Sequence, residues 1–320
     1  MALMTNPTDI QQENSPVYSY RHLLSIEGLS RFDIEKLLDL ADEYVETNRQ
    51  ADKKHAILRG RTLINMFFEN STRTRTSFEL AGKRLGGDVI NMSVSSSSIK
   101  KGETLIDTAM TLNAMHPDVL VVRHADSGSV HLLAEKVNCS VINAGDGSHE
   151  HPTQALLDLK TIIDHKGALD GLNIVIIGDL DHSRVTSSFV EGISNFEIGS
   201  LTFCGHPEMC SKYIDPNIGR YEADMAKALQ DADVVMTLRI QYERFEKELN
   251  LDLETYKSEY QLSSEKLENA KGDAIIMHPG PVNYIEITEA VYDSENSVIR
   301  QQIANGVAVR MAVLSRFLGS

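Results

Sequence analysis

The chain reads as an α/β protein made of two doubly wound parallel-sheet domains in series, and three observations predict it. Short β-rich runs alternate with helical patterns, the mark of strand–helix units whose sheet is covered on both faces. A break at residues 166–171, with Gly167 and Gly171, is followed by the apolar run 172–178, which opens a second sheet. At 320 residues the chain is long enough for two domains of ordinary size.

The elements follow in order. Residues 1–20 are polar, carry Pro7 and Pro16, lack a basic-then-apolar leader pattern, and are expected to be a disordered extension. Ser30 is placed to cap a helix running through Leu37, Leu38, Leu40 and Ala41. A strand at 62–68 leads into a helix over 74–85, which Gly86-Gly87 should end. A strand at 88–94, a polar loop at 95–102 and a helix over 103–115 come next. Strands at 118–123 and 140–144 flank a helix near 130–137, and a helix at 151–164 follows. The second sheet takes strands at 172–178, 200–204, 233–238 and 274–277. The last helix, 297–318, spaces Ile299, Ile303, Val307, Met311 and Leu314 at helical period. Residues 21–152 form the first domain and 153–296 the second; a ligand is expected in the cleft between them, at strand carboxyl ends.

Composition narrows the function. The chain is 42% hydrophobic and 24% charged, and no apolar run is long enough to span a bilayer, so no membrane partner is expected and a cytoplasmic location is. A net charge of −15 argues against nucleic acid. Cys139, Cys204 and Cys210 form no C-x-x-C pair, which supports neither a disulfide framework nor a zinc site. In so acidic a chain an anion site must be built locally.

The strongest local signal is Ser71-Thr72-Arg73-Thr74-Arg75-Thr76, where a strand turns into a helix. Free backbone N–H groups, hydroxyls and guanidiniums there suit a doubly charged oxyanion such as phosphate. Arg73 is the better ligand; Arg75 is placed to pair with Glu79 one turn on. The segment 97–103, with Ser97, Lys100 and Lys101, reads either as a solvated linker or as a lid that carries an ammonium to an anion. Arg123 ends an apolar strand and points a charge into the crevice above a parallel sheet.

In the run from Gly147 to Gln154, His149 and His151 flank Glu150, but alternate residues at a helix start do not share a face as metal ligands would. His151 instead opens a helix with Pro152 in its first turn, and Gln154 lies one turn on, suited to a carbonyl and its NH2. The segment Gly178-Asp179-Leu180-Asp181-His182-Ser183-Arg184 sits where a dinucleotide turn would, yet lacks its glycines, so no nucleotide cofactor is implied. Arg184 there could hold a carboxylate, and Arg239 and Gln241 follow the strand at 233–238. His278-Pro279-Gly280-Pro281 fixes a turn whose carbonyls can accept from an NH2 group.

Taken together, these segments resemble the transcarbamoylase family, in its aspartate-accepting branch, from about Arg21 onward. The resemblance rests on the runs at 71–75, 100–104, 151–154, 178–184, 238–241 and 278–281, in that order. Ornithine-using members carry a His-Cys-Leu-Pro turn and a Ser-Met-Gly loop, and this chain has neither. One departure is Tyr284, where close relatives often carry Arg.

The resemblance implies transfer of a carbamoyl group from carbamoyl phosphate to the α-amine of L-aspartate, a step of pyrimidine synthesis, without cofactor or metal. Residues 21–152, completed by the C-terminal helix at about 297–320, would bind carbamoyl phosphate, and 153–296 would bind aspartate. Ser71, Thr72, Arg73 and Thr74 would hold the phosphate, and Arg123 would bridge phosphate and carbonyl oxygens. His151 and Thr74 would polarise the carbonyl; Gln154, Pro279 and Gly280, with Pro281 completing the turn, would fix its NH2. Ser97 and Lys101 would come from a neighbouring subunit of a homotrimer, and Arg184, Arg239 and Gln241, with Lys101, would hold aspartate. The Pro-Gly-Pro turn and the His-Ser-Arg segment look like the class without regulatory chains. The competing readings are a transcarbamoylase for another amine, such as ornithine or an acylated ornithine, and an inactive homologue serving as a scaffold.

Overall fold

The computed structural model describes residues 21–93, 103–214, 217–245 and 252–318. The expectations for residues 1–20 and for Ser97, Lys100 and Lys101 lie outside the described residues.

Helix α1, Arg31–Arg49, starts in a reciprocal capping box, with Ser30 Oγ accepting from Asp33 N at 3.2 Å and Asp33 Oδ2 accepting from Ser30 N at 2.9 Å. Strand β1, Thr62–Phe67, runs into α2, Thr72–Arg84, which starts two residues earlier than expected because Ser71 itself is the cap. Its C-cap is Leu85, ahead of Gly86-Gly87. Then come β2, Asp88–Ser93; α3, Leu105–Asn113; β3, Val119–His124; α4, Ser129–Ala134; β4, Ser140–Asp146; and α5, Pro152–Lys166.

The second half adds β5, Asn173–Ile177; α6, Arg184–Ile193; β6, Ser200–Cys204; β7, Arg220–Tyr221; α7, Met225–Leu229; β8, Val234–Thr237; α8, Leu253–Tyr260; α9, Ser264–Leu267; β9, Ile275–Met277; and α10, Glu289–Tyr292. Helix α11, Ile299–Leu318, then packs against α1, α2 and α5 of the first half. The short β7 and α7 to α10 carry too few residues for periodicity to reveal them.

Among the described residues the strands form two parallel sheets, of order β2-β1-β3-β4 and β7-β6-β5-β8-β9. Alternation within strands shows both faces of the first sheet to be covered. Leu63, Phe67, Val119 and Val121 point into the large core shared with the second half. Ile64, Met66, Leu120 and Val122 point into a smaller core closed by Ala109 of α3 and by Val130 and Leu133 of α4. A sheet so covered needs runs that are apolar at every position, which is what made these strands readable.

In each sheet the chain order reverses at one place, between β1 and β3 and between β5 and β8. Loops leave opposite sides of the sheet there and open a crevice at the carboxyl ends. Residues beyond strand ends of both sheets line one cavity. Among the described residues no helix is long and apolar enough to cross a membrane.

Helices α5 and α6 approach closely at Gly192, where an added Cβ would lie 2.9 Å from Ile26 Cδ1 and 3.3 Å from Leu159 Cδ1. Gly192→Val should therefore overpack this contact and cost about 1–3 kcal/mol, read as a lower denaturation midpoint. An unchanged midpoint would show that the helices can separate without loss.

Candidate active site

A cavity of about 710 Å³ lies between the two crevices. Its lining brings together Ser71, Thr72, Arg73, Thr74, Arg123, His151, Gln154, Arg184, Arg239, Gln241, Pro279, Gly280 and Pro281, every described residue that the sequence singled out as a ligand.

The start of α2 forms one wall. Ser71 Oγ accepts from Thr74 N at 3.3 Å, so the cap is satisfied while the hydroxyl proton can still donate. The first turn holds no acid, and its positive end faces the cavity uncompensated. Glu79 bonds Lys83 at 2.6 Å and Asn91 at 2.7 Å, and not Arg75 as expected; Lys83 lies one turn further along the same face. Arg73 lies against Gly280, whose φ is 70° and where a Cβ would come within 2.9 Å of Arg73 Cζ. Burial lowers the Arg73 guanidinium from its ordinary value.

Arg123, at the end of β3, donates from Nε to Glu69 Oε2 at 3.1 Å and from Nη1 to Ala144 O at 3.4 Å. Burial, with a smaller push from the Arg184 charge, lowers it to about 9. Arg184 opens α6, after the cap in which Ser183 Oγ accepts from Thr186 N. It donates to Gly147 O at 3.0 Å and to Glu69 Oε2 at 2.8 Å. Arg244 approaches Glu69 Oε1 at 3.6 Å and donates to His182 O at 2.7 Å. Glu69 thus ties a loop of the first half to two arginines of the second.

Sequence reasoning missed both Glu69 and Arg244. Glu69 directly precedes the hydroxyl–arginine run, but nothing local shows that distant arginines converge on it. Arg239 lines the cavity, with Nη1 donating to Ile240 O at 3.0 Å. Gln241 Nε2 donates to His182 O at 2.8 Å.

His151 is the residue before α5, and its N–H donates to Ser188 Oγ at 2.8 Å. Ser188 Oγ in turn donates to Glu150 Oε2 at 2.7 Å, which takes Glu150 away from the cavity, and His149 is exposed beside His131. Burial, then the charges of Arg123, Arg184 and Arg310, lower the His151 imidazole well below its usual value. It is therefore a neutral hydrogen-bonding group at neutral pH. Gln154 Nε2 donates to Asp158 Oδ1 at 2.9 Å.

The turn after β9 is held by His278, whose Nδ1 accepts from Gly280 N at 2.7 Å, so that Nε2 carries the proton donated to Glu286 Oε1 at 2.7 Å. The Gly280-Pro281 peptide is cis. Tyr284 stays outside the cavity lining; its carbonyl accepts from Gln261 Nε2 at 2.8 Å and its ring meets Tyr292 at 5.8 Å. Among the described residues no group of three or more His, Cys, Asp or Glu could hold a metal ion.

Two family models match in tandem. Residues 21–164 match the aspartate/ornithine carbamoyltransferase, carbamoyl-P binding domain, and residues 170–317 match the aspartate/ornithine carbamoyltransferase, Asp/Orn binding domain. The chain belongs to the aspartate/ornithine carbamoyltransferase family.

Within that family it is 56% identical over 309 residues to the aspartate carbamoyltransferase catalytic subunit of Parvibaculum lavamentivorans, covering 96% of this chain and 94% of the relative. It is 57% identical over 303 residues to that of Bradyrhizobium diazoefficiens, covering 93% and 95%. The fold is similar to that of Trypanosoma cruzi aspartate transcarbamoylase in complex with carbamoyl aspartate and phosphate, with TM-score 0.82, 32% identity and coverage of 92% and 94%. The complex of the same enzyme with N-(phosphonacetyl)-L-aspartic acid gives the same TM-score of 0.82, at 32% identity and coverage of 92% and 94%.

The neutral imidazole can be tested directly. A group lowered on folding is protonated in the unfolded chain but not in the folded one between its two pKa values. Stability should therefore fall with pH below about 6.5, by about 1.4 kcal/mol per pH unit from this residue. NMR of the His151 ring should show no protonation midpoint near 6.5, and His151→Gln should flatten the loss of stability. A midpoint at or above 6.5 would overturn the assignment.

Proposed function

We propose that the chain transfers the carbamoyl group of carbamoyl phosphate to the α-amine of L-aspartate, giving N-carbamoyl-L-aspartate and phosphate, a step of pyrimidine synthesis. The observation that carries this is the pairing of two unlike anion sites in one cavity. A capped helix start with Arg73 and Arg123 suits a phosphate, and Arg184 and Arg239 of the second half line the same cavity and suit a dicarboxylate.

In this reading residues 21–152, with α11, bind carbamoyl phosphate and residues 153–296 bind aspartate. Ser71, Thr72, Arg73 and Thr74 hold the phosphate, with Arg123 between phosphate and carbonyl oxygens. The amine nitrogen attacks the carbonyl carbon, and its electron pair forms the new C–N bond. Charge moves onto the carbonyl oxygen, toward which Thr74, Arg123 and the neutral His151 can donate. Loss of one such donor typically costs about 10²–10³ in rate. The C–O bond to phosphate then breaks, the phosphate leaves with that electron pair, and one of its oxygens takes the amine proton. No covalent enzyme intermediate is needed; holding the reactants in line supplies much of the rest.

Gln154, Pro279, Gly280 and Pro281 fix the NH2, and Arg184, Arg239 and Gln241 hold the aspartate carboxylates. In this reading the protein works as a homotrimer in the cytoplasm, without regulatory chains, and Lys101 and Ser97 enter the site from a neighbouring subunit.

Purified protein given carbamoyl phosphate and aspartate should form carbamoylaspartate, and ornithine, acetylated ornithine or putrescine should not replace aspartate. Arg184→Ala and Arg239→Ala should raise the KM for aspartate roughly tenfold or more, the scale of one charge-assisted hydrogen-bond pair, and change the KM for carbamoyl phosphate far less. Equal losses would count against the assignment. Mixing Arg73→Ala with Lys101→Ala subunits should restore some activity; no recovery would mean that each site is built within one chain.

A further inference from the structure

We propose that Asp158, which does not line the cavity, is a positioning residue that sets the hydrogen-bonding polarity of the site toward the carbamoyl NH2, and so separates carbamoyl phosphate from an analogue with a methyl group in its place. The proposal rests on the reading above, and deepens it.

Asp158 lies one turn after Gln154 on α5 and is fully buried. Its Oδ1 accepts two hydrogen bonds, from Gln154 Nε2 at 2.9 Å and from Gln302 Nε2 of α11 at 2.9 Å. The orientation of Gln302 is fixed independently, because its Oε1 accepts from His278 N at 2.9 Å, and a backbone N–H can only donate. Gln302 must therefore turn its NH2 to Asp158. An oxygen that accepts from Gln302 serves Gln154 as an acceptor too, so Gln154 also turns its NH2 inward.

That leaves Gln154 Oε1, which has no bonding partner among the described residues, as the polar atom it offers the cavity. Asp158 Oδ2 has no partner among the described residues, and a proton bound there would leave Oδ1 an acceptor. The same Oδ1, acting through Gln302, also anchors the backbone N–H of His278 at the head of the turn carrying Pro279 and Gly280. One buried oxygen thus aligns both sets of acceptors for the NH2. Acceptors so fixed reward an N–H and are left unpaired by a methyl group, which is how a site rejects an isostere.

A residue that merely tied α5 to α11 would, when lost, weaken all phosphate ligands alike. The experiment compares the KM for carbamoyl phosphate with the Ki of acetyl phosphate as its competitor, in the full-length protein. Asp158→Leu should raise the KM for carbamoyl phosphate about tenfold and change the acetyl phosphate Ki less than about twofold, the scale of one lost hydrogen bond at a buried site. Asp158→Asn, which keeps an Oδ1 acceptor, should hold the discrimination within about threefold of the wild type.

Should the leucine variant fail to fold, Gln302→Met cuts the tie to His278 with the carboxylate in place, and should shift the same ratio. Equal weakening of both ligands, or an unchanged ratio in the variant that folds, overturns the proposal. If the wild-type protein transfers no carbamoyl group at all, it is the functional reading that fails.

Discussion

The structure depends on the burial of one helix. Every residue of α5 from Pro152 to Ile162 is buried, polar ones included. A helix covered all round must satisfy its polar side chains from its neighbours. Lys160, 1% exposed, pairs with Asp42 of α1 at 2.7 Å and with Asp164. Asn305 of α11 donates to Thr161 Oγ1 at 3.0 Å and Asp164 Oδ2 at 2.8 Å, and Gln302 donates to Asp158. These bonds fix the register of α1 and α11 on α5, since sliding by one turn would cost the buried Lys160 its Asp42 partner and the buried Asp158 its Gln302 partner. A core of Leu and Ile alone would tolerate such slippage. The first turn of α5, with His151 and Gln154, is thereby held still at the floor of the cavity.

The second constraint is electrostatic. The described lining holds six arginines, Arg73, Arg123, Arg184, Arg239, Arg244 and Arg310, against one carboxylate, Glu69. In a chain of net charge −15 this is a local reversal of sign. Arginine suits it because the guanidinium stays charged when partly desolvated, where lysine gives up its proton more readily. Burial costs remain, seen in Arg123 and Arg310, each lowered to about 9. Glu69 offsets part of that cost by accepting from Arg123 and Arg184 with Arg244 nearby, and it joins the two halves in doing so. The charge left over favours an anionic ligand.

The sequence made legible whatever was local. Strands covered on both faces must be apolar throughout, so the runs around β1, β3 and β5 stood out. Ser30 announced a helix start because a cap and its N–H partners lie within four residues. The arginine, histidine and proline runs could be ranked because each ends a strand or opens a helix. Glu69, Arg244, Asp158 and Gln302 could not be found that way. Asp158 reads as an ordinary polar residue of a helix until α11 is placed beside it, 144 residues on. Arg75 shows the reverse error: its spacing to Glu79 was right for a pair, but Lys83 and Asn91 took both carboxylate oxygens.

The two constraints meet at His151. The helix fixes where the imidazole sits and buries it; burial, and then the arginines, disfavour its charged form. Burial already disfavours the imidazolium, and a cluster positive enough to hold phosphate raises the cost of a further positive charge beside it. A neutral imidazole can donate one hydrogen bond toward a carbonyl oxygen without holding the proton so loosely that it would be lost to a departing phosphate. An imidazolium in the same place would bind phosphate more tightly and oppose its release. In the reaction proposed here, the arginines that would recognise the leaving group would therefore also reinforce, after burial, the neutral state of the group suited to polarising the carbonyl.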